Sequence, residues 1–162
     1  MGGGDGGAAS PKCRFKVSQA GEILEALGLW PGYGKPDKLP LPSRFDEQHR
    51  KWREKAIKLA KAKRIRMSHG VAAKLINVYL KSRFICGGHA DHPKVAALHP
   101  PIDSILLKAL ADKNAGGFGP AWRALARRRW SNLDSDSYEV AIGCLRNSYQ
   151  PAWGAEVLWS IS

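Results

Sequence analysis

Apolar residues in this chain recur at three- and four-residue spacing and no segment alternates with period two, which is the pattern of helices rather than strands. Phe45, Trp52, Ala56, Leu59 and Ala60 form one stripe, and Val71, Leu75, Val78 and Tyr79 another. Ile102, Ile105, Leu106, Ala109 and Leu110 form a third, and shorter ones run through Ile23 to Leu27, Trp122 to Ala126, Tyr138 to Leu145 and Trp153 to Trp159. The expected fold is all-α, a compact helical bundle. Local signals place its joints. Ser18 caps a first helix closed by Gly28, and the prolines between Pro31 and Pro42 exclude a helix there. Ser43-Arg44-Phe45-Asp46 opens the second helix as a variant capping box. Pro120 suits the first turn of a helix reaching Trp130, Tyr138 to Asn147 is the next helix, and Pro151 begins a last short one.

A chain of 162 residues supports a single domain with a real core, expected at residues 12–162. Ahead of it, residues 1–11 are a Gly/Ala-rich tail that reads as disordered, with neither the basic start nor the apolar run of a signal peptide. Lys12 to Val17 reads as a short extended segment. Cys13, Cys86 and Cys144 are odd in number and have no disulfide spacing, which fits a reducing compartment. The expectation is a cytoplasmic monomer with no membrane partner.

The formal net charge is +12, an imbalance unusual for a metabolic enzyme and expected of a protein that binds a phosphate backbone. Most of it is local. Between Arg44 and Arg83 thirteen Lys/Arg face three Asp/Glu, a balance of +10. Arg64 and Arg66 in this region, and Arg127 and Arg128 beyond it, are candidate phosphate contacts. Tyr33 and Trp30 are candidates to stack on bases, or to fold back over the core.

Met67-Ser68-His69-Gly70-Val71-Ala72-Ala73-Lys74 is the stretch richest in chemistry. Gly70 permits a turn with positive φ and a close backbone approach, after which Val71 to Arg83 reads as a helix with Lys74 in its first turn. A lysine there feels the positive end of the helix, which disfavours its ammonium form. Free N–H groups from Gly70 to Ala73 offer an anion site, with Ser68, His69, Gly70 and Ala72 as its surroundings. Further on, Pro100 and Pro101 force extended backbone, so Asp103 is the natural N-cap of a helix running to Ala111.

A Gly-Val-x-x-Lys turn opening a helix, followed by a Pro-Ile-Asp helix start, resembles the active-site pair of the helix-hairpin-helix DNA glycosylase superfamily. The long loop before Asp103 is most similar to the archaeal 8-oxoguanine glycosylases. The likeness covers Ser68 to Leu110 and departs from the family at Ala72, where a second glycine is usual. It implies an enzyme that flips a damaged or modified base out of duplex DNA, with Lys74 attacking the sugar and Asp103 assisting, and no cofactor. The base could be an oxidised purine or a modified base of foreign DNA. By position, Asn77, His99, Trp30 and Trp153 become candidates for the base pocket.

Two other readings stand beside this one. A non-catalytic helical DNA- or RNA-binding protein would use the same basic helices, with Asp103 only as a cap. A metal-dependent nuclease would draw ligands from Cys86, His89, Asp91, His92 and His99, a set with knuckle-like gaps but no second matched pair.

Overall fold

The structure, a computed structural model, describes residues 15–161, with side chains as far as Leu158. The expected tail at 1–11, most of the extended segment at 12–17, Cys13 and the Trp159 side chain lie outside the described residues. The described chain is an all-α bundle. Its α-helices are α1 (Val17–Ala26), α2 (Pro42–Ala62), α3 (His69–Leu80), α4 (Ser104–Asp112), α5 (Gly119–Arg128) and α6 (Ser135–Ser148), followed by a C-terminal 3-10 helix (Ala152–Ile161). Single 3-10 turns lie between them, one of them at Pro36–Lys38 in the proline-rich stretch expected to hold no helix, where Pro36 takes the first position. Beyond Leu80 the backbone of α3 continues in wider π-type turns over Lys81–His89, broken at Gly88 with φ 90°.

Several joints differ from the expected ones for local reasons. Ser18 is not a cap: α1 starts at Val17, and the Gln19 side chain accepts from the Lys16 N–H at 2.8 Å. Pro42, not Ser43, opens α2, because a fixed φ and a missing N–H cost nothing in the first turn. The far end of α2 closes in a Schellman turn. Ile65 N–H donates to the Ala60 carbonyl at 2.9 Å and Arg64 N–H to that of Lys61 at 3.0 Å. Arg64 holds the left-handed position with φ 58°, where glycine is usual. Arg129 ends α5 early with φ 69° and ψ 135°, in a region of backbone space that favours glycine, so Trp130 leaves the helix instead of finishing it.

The central element is α3. Val71, Ala72, Ala73, Ile76 and Leu80 are all buried, among a core that includes Phe45, Trp52, Ala56 and Ala60 of α2 and Ala141, Ile142 and Leu145 of α6. Each large apolar side chain buried this way contributes about 1.5–3 kcal/mol. Gly70 makes the tightest approach. It lies within α3 without a positive φ, and a Cβ there would sit 1.9 Å from the Trp130 carbonyl oxygen. Its N–H donates to the Leu133 carbonyl at 3.0 Å. Glycine is required here for closeness, not for a turn.

Candidate functional site

Ser68 caps α3, its Oγ accepting from the Val71 N–H at 3.1 Å and donating to the Ser131 carbonyl at 2.7 Å. That cap starts the helix two residues before the expected Val71, so Lys74 falls in the second turn. The field of a helix start is strongest in the first turn and reaches Lys74 weakly. Other groups surround the amine. Lys74 Nζ is 3.7 Å from Asp103 Oδ2 and 4.5 Å from the centre of the Trp130 ring. Both partners of the pair are largely sheltered, with side chains 20% and 19% exposed. Asp103 caps α4 through Oδ1, which accepts from the Leu106 N–H at 2.9 Å. One carboxylate oxygen therefore holds the helix while the other faces the lysine.

A largely buried polar chain ties the loop before Asp103 to the helix that carries Lys74. Arg53 Nη1 donates to His49 Nδ1 at 2.7 Å, and His49 Nε2–H then donates to Asn77 Oδ1 at 2.8 Å. Asn77 Nδ2 donates to the Tyr138 hydroxyl at 3.0 Å and to the Pro100 carbonyl at 3.3 Å. Tyr138 donates to His99 Nδ1 at 2.8 Å, and His99 Nε2–H to Asp46 Oδ1 at 2.8 Å. The bond to Pro100 matters most for the site, since it ties the loop before Asp103 to the helix carrying Lys74. Asn77 and His99 were expected in a base pocket. Both are instead buried, with their polar atoms paired inside the protein.

The chain also perturbs its own titrations. Burial pushes the His99 imidazole down to about 4, with Asp46 opposing that shift, and burial lowers His49 well below its ordinary value. Burial pushes Tyr138 up. Asp46 is raised by burial but lowered more by His99 and Arg146, which leaves it at about 2.

Lys74 lines a cavity of about 450 Å³ together with Phe15, Leu24, Val71, Leu75, Val78, Tyr79, Ser82 and Trp130. Its walls are almost wholly apolar. Tyr79 turns its hydroxyl away, to the Leu29 carbonyl at 3.1 Å. Tyr79 and Ser82 also line a second, more polar cavity of about 430 Å³ with Trp30, Pro31, Arg83 and Gly87. Trp30, 51% exposed, thus borders the neighbouring space and not that beside Lys74. Trp153 is half-buried, its Nε1 donating to the Val95 carbonyl at 3.1 Å.

The expected phosphate contacts divide in two. Gly70 and Ala72 are buried, and the N–H groups of Gly70, Val71 and Ala72 already bond Leu133, Ser68 Oγ and the Ser68 carbonyl. The start of α3 is therefore closed as an anion site. Ser68 is spent on its cap, and His69 Nδ1 accepts from Arg53 Nε at 3.1 Å. Arg64, Arg66, Arg127 and Arg128 remain on the surface, Arg128 reaching Ser137 and, at 3.7 Å, Asp134. Along the chain Arg64 and Arg66 precede Ser68, and Arg127 and Arg128 precede Ser131, the two segments meeting at a seam where Ser68 bonds Ser131 and Gly70 packs on Trp130. Part of the basic balance is internal: Arg53 is buried and paired with Glu139, and Lys63 pairs with Glu22.

Sequence reasoning missed Trp130 as a neighbour of Lys74, and it missed Glu156. The Glu156 carboxyl pairs with Lys81, while its Oε1 is buried without a hydrogen-bond partner. Burial raises its pKa and the charge of Asp103 adds to that, against the pull of Lys81. The Cys86 to His99 set does not converge. His92 bonds Asp37 at 2.9 Å and His99 faces Tyr138 and Asp46, and among the described residues no group of three or more His, Cys, Asp or Glu side chains is arranged to hold a metal.

Fold and site together define an all-α protein in which a lysine on the wall of an apolar cavity is paired with a sheltered carboxylate. Compared with known proteins, the chain matches no family model, no curated protein and no solved structure.

Proposed function

We infer that the protein removes a damaged or modified base from DNA through a Schiff base on Lys74, in the manner of the glycosylases its hairpin resembles. The observation that carries this reading is the 3.7 Å approach of Asp103 Oδ2 to Lys74 Nζ, whose side chain lines a cavity of about 450 Å³. The chain's net charge of +12 supplies the attraction for the phosphate backbone. A base inside a duplex is out of reach, so it is extruded into the cavity while the arginines beside the Ser68–Ser131 seam grip the flanking strand.

Asp103, kept in place by its cap on α4, stabilises the positive charge that develops on the sugar as the glycosidic bond lengthens. Lys74, as the free amine, attacks C1′. The C1′–N bond breaks, its electron pair and a proton leave with the base, and ring opening gives an imine between Nζ and C1′. Removal of the C2′ proton then expels the 3′ phosphate by β-elimination. Trp130 lies over the amine and shields it from water.

Borohydride trapping on duplexes bearing 8-oxoguanine, uracil, alkylated bases, modified cytosines or an abasic site tests this. A covalent adduct is expected with the wild type and none with Lys74→Gln. Alkali-revealed abasic sites that need Asp103 but not Lys74 would replace the lysine mechanism with water attack. Neither product on any duplex, with DNA still bound, would favour a non-catalytic binding protein. That second reading draws on the exposed Arg64, Arg66, Arg127 and Arg128.

A further inference from the structure

The space beside Lys74 is poorly equipped to read a base by its hydrogen-bonding edge. Phe15, Leu24, Val71, Leu75, Val78 and Trp130 offer no side-chain acceptor, and the Tyr79 hydroxyl gives its hydrogen to Leu29. Apart from Lys74 itself, the one other polar side chain on its wall is Ser82, which it shares with the second cavity. An oxidised purine buried there would leave ring and exocyclic groups unpaired, each costing free energy that a matched site avoids. Shape selects the ring in such a cavity, and discrimination must come from elsewhere.

The second cavity is where polar discrimination is available. It shares Tyr79 and Ser82 with the first, holds about 430 Å³, and adds the half-exposed Trp30, Pro31, Arg83 and Gly87. Arg83 is only loosely engaged, with Nε 3.5 Å from the Tyr33 carbonyl and Nη2 3.4 Å from that of Gly34, at the outer limit of hydrogen bonding. An aromatic face, a hydroxyl and a lightly held guanidinium suit a substituent with an apolar face and several hydroxyls. A bare base does not need this second space.

Resting on the base-removal reading, we propose that the substrate is a pyrimidine carrying a bulky hydroxylated substituent at C5, with the ring beside Lys74 and the substituent past Tyr79 and Ser82 against Trp30 and Arg83. C5 is the position that fits. It lies in the major groove, where a large group leaves base pairing intact until the nucleotide is flipped.

The test compares single-turnover base release from duplexes containing cytosine, 5-methylcytosine, 5-hydroxymethylcytosine, its C5-linked hexoside and 8-oxoguanine, with adduct formation on a bare abasic site run alongside. The hexoside should be released at least about tenfold faster than 5-hydroxymethylcytosine, and Trp30→Ala should cut that ratio to within about threefold of unity. Equal rates on all the cytosines, or a preference for 8-oxoguanine, would overturn the substrate assignment while abasic-site trapping still held. Loss of trapping on the abasic site as well would take down the lysine mechanism beneath it.

Discussion

Gly70 has no room for a side chain because the carbonyl oxygen of Trp130 stands 1.9 Å from where its Cβ would be. The Trp130 ring in turn lies 4.5 Å from Lys74 Nζ, so one backbone contact sets both the packing of α3 and the cover over the amine. Gly70→Ala pits a methyl group against backbone that cannot swing aside. It should cost about 1–3 kcal/mol in urea unfolding. Adduct yield per folded molecule should fall as well, and an unchanged yield would show that Trp130 is not held by this contact.

Arg129→Gly should raise stability. The native φ of 69° with ψ of 135° strains any side-chain-bearing residue. Glycine relieves it, less the entropy that glycine adds to the unfolded chain, for a net gain of about 1 kcal/mol or a Tm rise of about 2–4 °C. A fall in Tm on thermal unfolding would mean that the arginine side chain makes contacts worth more than the strain.

Asn77→Ala removes the brace between α3 and the loop before Asp103. It strands the His49 Nε2–H and the Pro100 carbonyl in the interior and takes a donor from Tyr138. The expected loss is about 3 kcal/mol. Trapping measured on the folded fraction should drop too, since Asp103 loses the tie that sets it beside Lys74. A stable variant with full trapping would show that the loop holds its place without Asn77.

Stability should rise with pH between about 4 and 6.5. Unfolded, the imidazoles of His49 and His99 take up protons as pH falls through their ordinary value near 6.5; folded, His99 resists down to about 4, and His49 is shifted the same way. The unfolded state therefore binds more protons across this window, and acid favours it. His99 alone contributes about 3 kcal/mol, fully present above pH 6.5 and lost as pH falls to about 4. Asp46, folded pKa about 2, acts in the same direction but below pH 4. Urea unfolding from pH 4.5 to 8 should show the slope, and His99→Gln should flatten it. A slope unchanged in that variant would assign the acid sensitivity elsewhere.

The elements were legible in the sequence wherever a single segment decided them. Pro100 and Pro101 ahead of an apolar run suffice to make Asp103 a cap, and the stripe from Phe45 to Ala60 suffices to make α2. Residues whose partners lie far along the chain were not legible. Asn77 is a base-pocket candidate by its place one turn beyond Lys74, but the partners that occupy it are distant in sequence: His49 is 28 positions away and Tyr138 is 61. A signal did exist for part of this network: His49 and Arg53, one helical turn apart, fall on the buried stripe of α2, where unpaired polar groups do not persist. For Trp130 there was none, since nothing about Arg129 announces a left-handed turn. Gly70 was read correctly as a place of close approach and wrongly as a turn, because both demands select the same residue.

The bonds linking Arg53 to Asp46 all run the same way. A guanidinium can only give and an ionised carboxylate can only receive, so the ends of the line dictate everything between them, and the Pro100 carbonyl fixes the Asn77 amide independently. Both imidazoles must then sit in the tautomer with hydrogen on Nε2, and neither can invert, because the two ends of the line and the Pro100 carbonyl cannot. The interior of this protein has a grain, and a replacement along it is tolerated only if it gives on one side and receives on the other.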